Sequence, residues 1–299
     1  MTEIAINTLA FHGYSLDTAL EEIAQLTDYV EPVYISKYDP TLCEEYFNEN
    51  NAGMLLKQLE RFHLKVVTMG SHMDLGQRGS VDRFKRRMEF AGAIGARMIL
   101  TNAGRKSQAS AFCRNIERLL AYAEGLGLVI ALENPGDGRN QLLGTGVEGI
   151  SILEKLGSDR IKLNYDCSNV FTYSQGKVRP EQELAALLPH IGHLHLKNVR
   201  PQGQTWMVCG IDEGIIDYRS LFRQFPALVS IPMSIELPLR FGFDAQFEFA
   251  LREAHAAPPL ERIRRALTGS LEYLSAIMPS AAQVKSMTTK QCHSAVLKV

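Results

Sequence analysis

The sequence predicts a single (β/α)8 barrel, and three observations carry that expectation. Eight short, β-branched apolar runs alternate with amphipathic stretches from end to end, and near-continuous apolar runs are how parallel strands covered on both faces read. The turn after the first run, Asn7-Thr8-Leu9-Ala10-Phe11-His12, lacks the glycine fingerprint of a dinucleotide-binding sheet, which favours a closed barrel over an open one. At 299 residues the chain suits one barrel of roughly 250 residues plus a tail better than two domains.

In chain order, the first strand is Ile4–Thr8, and Ser15-Leu16-Asp17 opens a helix with Leu16, Leu20, Ile23 and Ala24 on one face. Strand Tyr29–Ile35 follows, then a helix marked by Leu55, Leu59 and Phe62, then strand Leu64–Met69. Phe84, Met88 and Ala91 mark the third helix, whose basic cluster Arg83, Lys85, Arg86 and Arg87 reads as a solvated outer surface. Next come strand Met98–Asn102, helix Ile116–Ala123, strand Leu128–Glu133, helix Gly149–Leu156 and strand Ile161–Asp166. Gly95, Gly127 and Gly157 each sit where a helix should stop before the next strand. Helix Glu181–Leu188, strand Ile191–Lys197, helix Tyr218–Phe225 and strand Met233–Leu237 complete the eight units. The connection Phe241–Pro259 is unusually long, which suits either a loop on the active face or a short extra helix. A long periodic helix, Leu260–Met278, closes the barrel domain at 1–278, and 279–299 is expected to be a mobile tail or to take part in subunit contacts.

Composition narrows the classes of function. Apolar residues make up 45 % of the chain and charged residues 22 %, enough to bury a sizeable core. A formal net charge of −1 gives no field for gathering phosphate backbones, so no nucleic-acid partner is expected. No window approaches the roughly 20 apolar residues of a membrane helix, and Met1 to Ala10 resembles no signal peptide. Cys43, Cys113, Cys167, Cys209 and Cys292 are scattered without metal-site spacing, as reduced thiols are. Together these predict a cytoplasmic protein with no membrane partner.

The informative pattern is where charged and imidazole groups fall relative to the strands. Four consecutive strands finish on potential metal ligands: Val129-Ile130-Ala131-Leu132-Glu133, Lys162-Leu163-Asn164-Tyr165-Asp166, His193-Leu194-His195-Leu196-Lys197 and Ser234-Ile235-Glu236-Leu237. C-terminal strand ends converge on one mouth of a barrel, so Glu133, Asp166, His195 and Glu236 should meet there. Singly, each has a plainer reading: Asp166 as a helix cap, Glu133 bonded to backbone amides, His195 as a structural histidine, Glu236 in a buried ion pair. An unpaired carboxylate after an apolar run is costly to bury, and one shared cation removes that cost for all of them. Three carboxylates and an imidazole form a hard set suited to Mn²⁺ or Mg²⁺, with Co²⁺ or Zn²⁺ as alternatives.

At these residues the sequence resembles the sugar phosphate isomerase/epimerase superfamily of xylose isomerase-like TIM barrels, over about Ile4 to Met278. The carrying motifs are Leu132-Glu133-Asn134-Pro135, Asp166-Cys167-Ser168-Asn169-Val170, Gly192-His193-Leu194-His195-Leu196-Lys197-Asn198 and Ile235-Glu236, with Val30-Glu31 as a further feature. The resemblance implies one divalent metal on Glu133, Asp166, His195 and Glu236, with His193 deeper in the core. It implies catalysis through a metal-stabilised ene-diolate of a small sugar-like substrate, with Glu133 and Glu236 doubling as the acid/base pair. The chain departs from the ketose 3-epimerase branch at Asn169, where a histidine is expected, and at Arg139, where a second glutamate is expected.

His72, Asn102, Arg139, Asn169, Lys197 and Arg200 are the substrate-binding candidates, with His12, Glu31, Arg105 and Arg240 in similar strand-end places. The arginines hint at an anionic substrate, although no glycine-rich phosphate cradle is evident. Trp206, the only tryptophan, is either a lid residue or an anchor in a subunit contact of a homo-oligomer. Four functions remain open on these residues: an isomerase or epimerase, an inosose-type dehydratase on the same ligands, an endonuclease IV-like phosphodiesterase and a non-catalytic sugar-binding protein. The phosphodiesterase would need about three metals and further histidines, and the loop Trp206–Glu213 lacks the expected Asp-x-His.

Overall fold

Parallel pairing runs unbroken through the central sheet in the order β3-β2-β1-β11-β8-β7-β6-β5-β4. Its strands are β1 Ile4–Asn7, β2 Tyr29–Glu31, β3 Lys65–Val66, β4 Thr68–Asp74, β5 Met98–Asn102, β6 Val129–Glu133, β7 Ile161–Asp166, β8 Ile191–Leu196 and β11 Met233–Ile235. In this computed structural model, residues 3–39, 41–136, 140–245, 248–251 and 257–279 are described. The third stave is broken into β3 and β4 at Val67, and a bridge from Val33 to Gly70 spans the gap and closes the barrel. The second stave was expected to reach Ile35 but ends at Glu31, because Pro32 has no N–H for the ladder.

Helices α1 Leu16–Ala24, α2 Glu49–Arg61, α3 Ser80–Ala93, α4 Ala109–Leu126 and α5 Gly146–Leu156 follow the strands as their apolar spacing predicts, as do α7 Pro180–Leu187, α8 Tyr218–Gln224 and α9 Leu260–Ile277. Gly127 and Gly157 cap α4 and α5 at φ of 68° and 56°, a region most side chains avoid. One helix is additional: α6, Cys167–Tyr173, starts directly from the end of β7.

A second, four-stranded antiparallel sheet is also additional. It runs β13-β12-β10-β9, built from β9 Asn198–Gln202, β10 Thr205–Cys209, β12 Phe241–Phe243 and β13 Phe249–Leu251. The long connection after the eighth stave is therefore, where described, a strand pair rather than a loop or helix. Trp206 lies on β10 with its ring 5.2 Å from that of Phe171. Residues 280–299, nearly all of the expected tail, lie outside the described residues. No helix among the described residues is long and apolar enough to cross a membrane.

Arg87 corrects the reading of the basic cluster on α3. It is 2 % exposed, because it shares a face with Phe84, Met88 and Ala91. Its guanidinium is bonded through both Nε (3.0 Å) and Nη2 to Glu44, reaches Ser71 at 3.2 Å, and lies 4.6 Å from the Phe47 ring. Arg87→Met should cost on the order of 3 kcal/mol, because it strands the Glu44 carboxylate. Urea denaturation reads this directly; an unchanged midpoint would show that the ion pair adds nothing net.

Candidate active site

The chain brings four side chains together at the C-terminal mouth of the barrel. Glu133 and Asp166 are the last residues of β6 and β7, His195 lies near the end of β8, and Glu236 follows β11. One ligand atom from each lies within 4.8 Å of all the others, and all four residues are buried.

Neighbours fix each head. Asp166 Oδ1 accepts hydrogen bonds from the Ser168 and Asn169 amides at 2.8 Å each, so it does cap α6. Its Oδ2 is thereby turned toward the other ligands. Asn134 locks β6 to β7 by donating to the Asp166 carbonyl (3.0 Å) and accepting from its amide (2.9 Å). Glu133 accepts from Asn169 Nδ2 at 3.0 Å and from Asn164 Nδ2 at 3.3 Å, with His72 Nδ1 3.2 Å away. His72 sits where the pairing of β4 with β5 slips between Gly70 and Asp74, the kind of irregularity that re-aims a side chain.

His195 is held from below by Glu31, whose Oε1 accepts from Nε2 at 2.9 Å. Its Nδ1 therefore faces Glu133 (3.5 Å) and Glu236 (3.7 Å). A carboxylate behind the imidazole fixes the ring and raises its basicity, the arrangement usual behind metal-ligating histidines. Burial alone would strip the His195 proton, but Glu31, Glu236 and Glu133 outweigh it and lift its pKa well above the usual range. His193 lies one layer deeper against Asn164 Oδ1 at 2.8 Å, and burial pushes its pKa down to about 3, so it is neutral. Glu31 also accepts from Asn7 (2.8 Å), Thr68 (2.6 Å) and Ser234 (2.7 Å).

Sequence reasoning placed Glu31 only among general strand-end residues and gave Asn164 and Ser234 no part. A signal was present. Asn164, His193 and Ser234 each precede a ligand by two positions, so strand alternation points them inward, where apolar packing would ask for Val, Ile or Leu.

Lys197 is the remaining charge. Its ammonium sits 2.7 Å from Asp166 Oδ2 and 2.7 Å from Glu236 Oε2, only 4 % exposed. Burial opposes this charge, yet Asp166 and Glu236 keep it firmly protonated. Four carboxyl groups (Glu31, Glu133, Asp166, Glu236) thus surround two basic groups, His195 and Lys197. Asp166 Oδ2 is buried without any hydrogen bond, its partner being the ammonium alone. Burial, with Glu236 and Glu133 close by, raises the Asp166 pKa against the pull of Lys197. The donor set and this excess of acid fit a divalent cation.

Above the quartet opens a cavity of about 620 Å³ lined by Glu133, Glu236, Lys197, His72, Asn102 and Asn169 among others. Asp166 and His195 lie beneath its surface. Arg105 also lines it, whereas Arg240 packs on His12 at 3.1 Å. Arg200 is not among the residues lining it. The chain leaves the barrel after Lys197 as β9, and Arg200 is exposed there, 3.3 Å from Glu213. Arg139 lies outside the described residues.

Fold and site together define a (β/α)8 barrel with an acidic, imidazole-bearing centre at its C-terminal mouth. Residues 20–255 match the family model described as "Xylose isomerase-like TIM barrel", and the chain belongs to that family. No curated protein matches the chain. Solved structures share the fold at low identity. One titled D-psicose 3-epimerase in the presence of D-fructose matches with a TM-score of 0.70 at 12 % identity, over 94 % of this chain and 100 % of that one. An L-ribulose 3-epimerase matches at 0.68 and 16 %, over 100 % and 99 %. The probable 3-DHS dehydratase AsbF from Bacillus anthracis matches at 0.66 and 15 %, over 91 % and 98 %.

Proposed function

We propose that the chain is a divalent-metal-dependent isomerase or epimerase that moves a proton at a carbon next to a carbonyl of a sugar or sugar acid. The observation that carries this reading is the convergence of Glu133, Asp166, His195 and Glu236 within 4.8 Å at the floor of a large cavity. Those four residues would hold the metal, with Mn²⁺ favoured by the oxygen-rich set. The bound ion supplies polarisation of adjacent carbonyl and hydroxyl oxygens, which acidifies the intervening C–H bond.

The protein's own groups supply the rest. Glu133 and Glu236 both reach the cavity and are the carboxylates placed to take the proton and return it. Asn169 and His72 fix Glu133, while Lys197 does the same for Glu236. Asn102 offers a hydrogen bond to substrate hydroxyls from the end of β5. The epimerases sharing this fold support the reading, as does a net charge of −1 that disfavours nucleic acid.

A dehydratase is the second reading, and one observation favours it. The Lys197 ammonium lies beside Glu236 and lines the cavity, where its fixed positive charge would stabilise the oxygen of a departing β-hydroxyl. One experiment separates the readings: the Mn²⁺-loaded protein is incubated in D₂O with panels of ketoses, aldoses, keto-acids and keto-glycosides. The proposal expects deuterium at a carbon without loss of water. Loss of water means the dehydratase, and tight metal binding with no exchange on any substrate means a non-catalytic barrel.

A further inference from the structure

The cavity is larger than a single sugar ring needs, and its two sides differ in chemistry. Pockets of about 300–1,000 Å³ hold drug-sized ligands, and this one, at about 620 Å³, lies mid-range. Leu9, Ile35, Tyr38, Pro238, Phe243 and Phe249 line one side, carried on the segments after β1, β2 and β11, three adjacent staves. Asn102, Arg105, Gln108 and Gln141 line another, on the segments after β5 and β6. Among the described residues, Lys37 is the one charged residue on the apolar side.

The apolar side is a built aromatic surface. Phe249 stacks on Phe241 with ring centroids 5.0 Å apart and planes at 8°, and it lies 5.0 Å from the Phe243 ring. Tyr38 packs against Phe241 at 4.8 Å and Phe249 at 5.7 Å. Phe241 is buried behind it and Phe243 is a buried part of the lining, while Tyr38 and Phe249 stay half-buried with surface toward the cavity. Three of these four rings, Phe241, Phe243 and Phe249, come from the added antiparallel sheet, so that sheet serves as a wall of the cavity.

We propose that the substrate is a keto-glycoside, a glycoside in which one ring carbon is already oxidised to the carbonyl that the proton transfer requires and that an unoxidised acetal ring lacks. Its reacting sugar ring lies over Glu133 and Glu236 with its hydroxyls toward Asn102 and Gln108. The group joined through its glycosidic oxygen lies on Tyr38 and Phe249. A free monosaccharide would leave the rings facing water, whereas a flat aglycone or a second pyranose covers them with an apolar face and asks for no countercharge. The inference rests on the reading of the floor as a sugar site and adds the second half of the ligand.

Calorimetric titration of the Mn²⁺-loaded protein with matched phenyl and methyl glycosides of gluco-, galacto- and xylopyranose tests it. In at least one pair the phenyl glycoside should bind ten or more times tighter. Tyr38→Ala and Phe249→Ala should each bring that ratio below three without changing Mn²⁺ affinity, and Phe249→Leu, which keeps apolar volume, guards against simple unfolding. Cellobiose binding at the phenyl level would also support the glycoside and identify the second group as a sugar. Equal binding within every pair, no binding of any phenyl glycoside, or a preference that survives both alanine variants overturns the assignment. Failure of the metal-dependent proton transfer would show elsewhere, as absent Mn²⁺ binding or absent exchange in D₂O.

Discussion

Glu236→Gln is expected to lower turnover by on the order of 10³-fold even at saturating Mn²⁺, because it removes a proton carrier and a ligand oxygen at once. Burial raises the Glu236 pKa, but Lys197 and His195 outweigh it and hold the carboxyl well below the ordinary range. The group therefore stays ionised across any working pH. Glutamine keeps the shape but cannot take a proton. Glu31→Gln supplies the contrast. Glu31 does not line the active-site cavity and reaches the quartet through His195, so its loss should weaken Mn²⁺ binding by about 10–100-fold and be rescued by excess metal. Steady-state rates against Mn²⁺ concentration read both variants. Recovery of Glu236→Gln at high Mn²⁺ would demote Glu236 to a ligand only and leave Glu133 to move the proton.

The parts of this arrangement that sequence exposes are those governed by local pattern. The four strands ending on Glu133, Asp166, His195 and Glu236 are read from apolar runs that stop at a charge, and barrel geometry then brings those ends together. The parts it hides depend on partners distant along the chain. Glu31 is an acid after Val30 until Thr68, His195 and Ser234 are seen around it. Helix α6 is only seven residues long, and Asp166 both ends a strand and caps that helix, so one boundary hides the other. The added sheet is built from short strands, with Pro201 inside β9, which argues against a strand wherever no edge position is known. Arg87 was legible: position 87 falls between Phe84 and Met88 on the buried face, and only the habit of counting arginine as surface hides it.

Lys197→Met is expected to make the stability of the protein lean more heavily on bound Mn²⁺ than it does in wild type. The Lys197 ammonium lies 2.7 Å from both Asp166 Oδ2 and Glu236 Oε2, so it is a cation that those two oxygens share. Deleting one member of a buried ion pair costs about 3–5 kcal/mol, because the stranded charges cannot return to water. A divalent ion held by Glu133, Asp166, His195 and Glu236 would compete with that ammonium for the carboxylates and be repelled by it. Two unit charges at 4 Å interact by about 4 kcal/mol at an effective dielectric of 20. Removing the lysine should therefore both destabilise the EDTA-treated protein and favour metal binding. Mn²⁺ should bind Lys197→Met at least about tenfold tighter than wild type. The gap in melting temperature between Mn²⁺-loaded and EDTA-treated protein should widen, since a ligand of the native state alone stabilises it in proportion to the logarithm of its affinity. Lys197→Arg keeps the charge and should keep the wild-type gap. If Lys197→Met instead binds Mn²⁺ more weakly and melts alike with and without it, then the ammonium and the metal do not compete for these oxygens, and Lys197 acts on substrate alone.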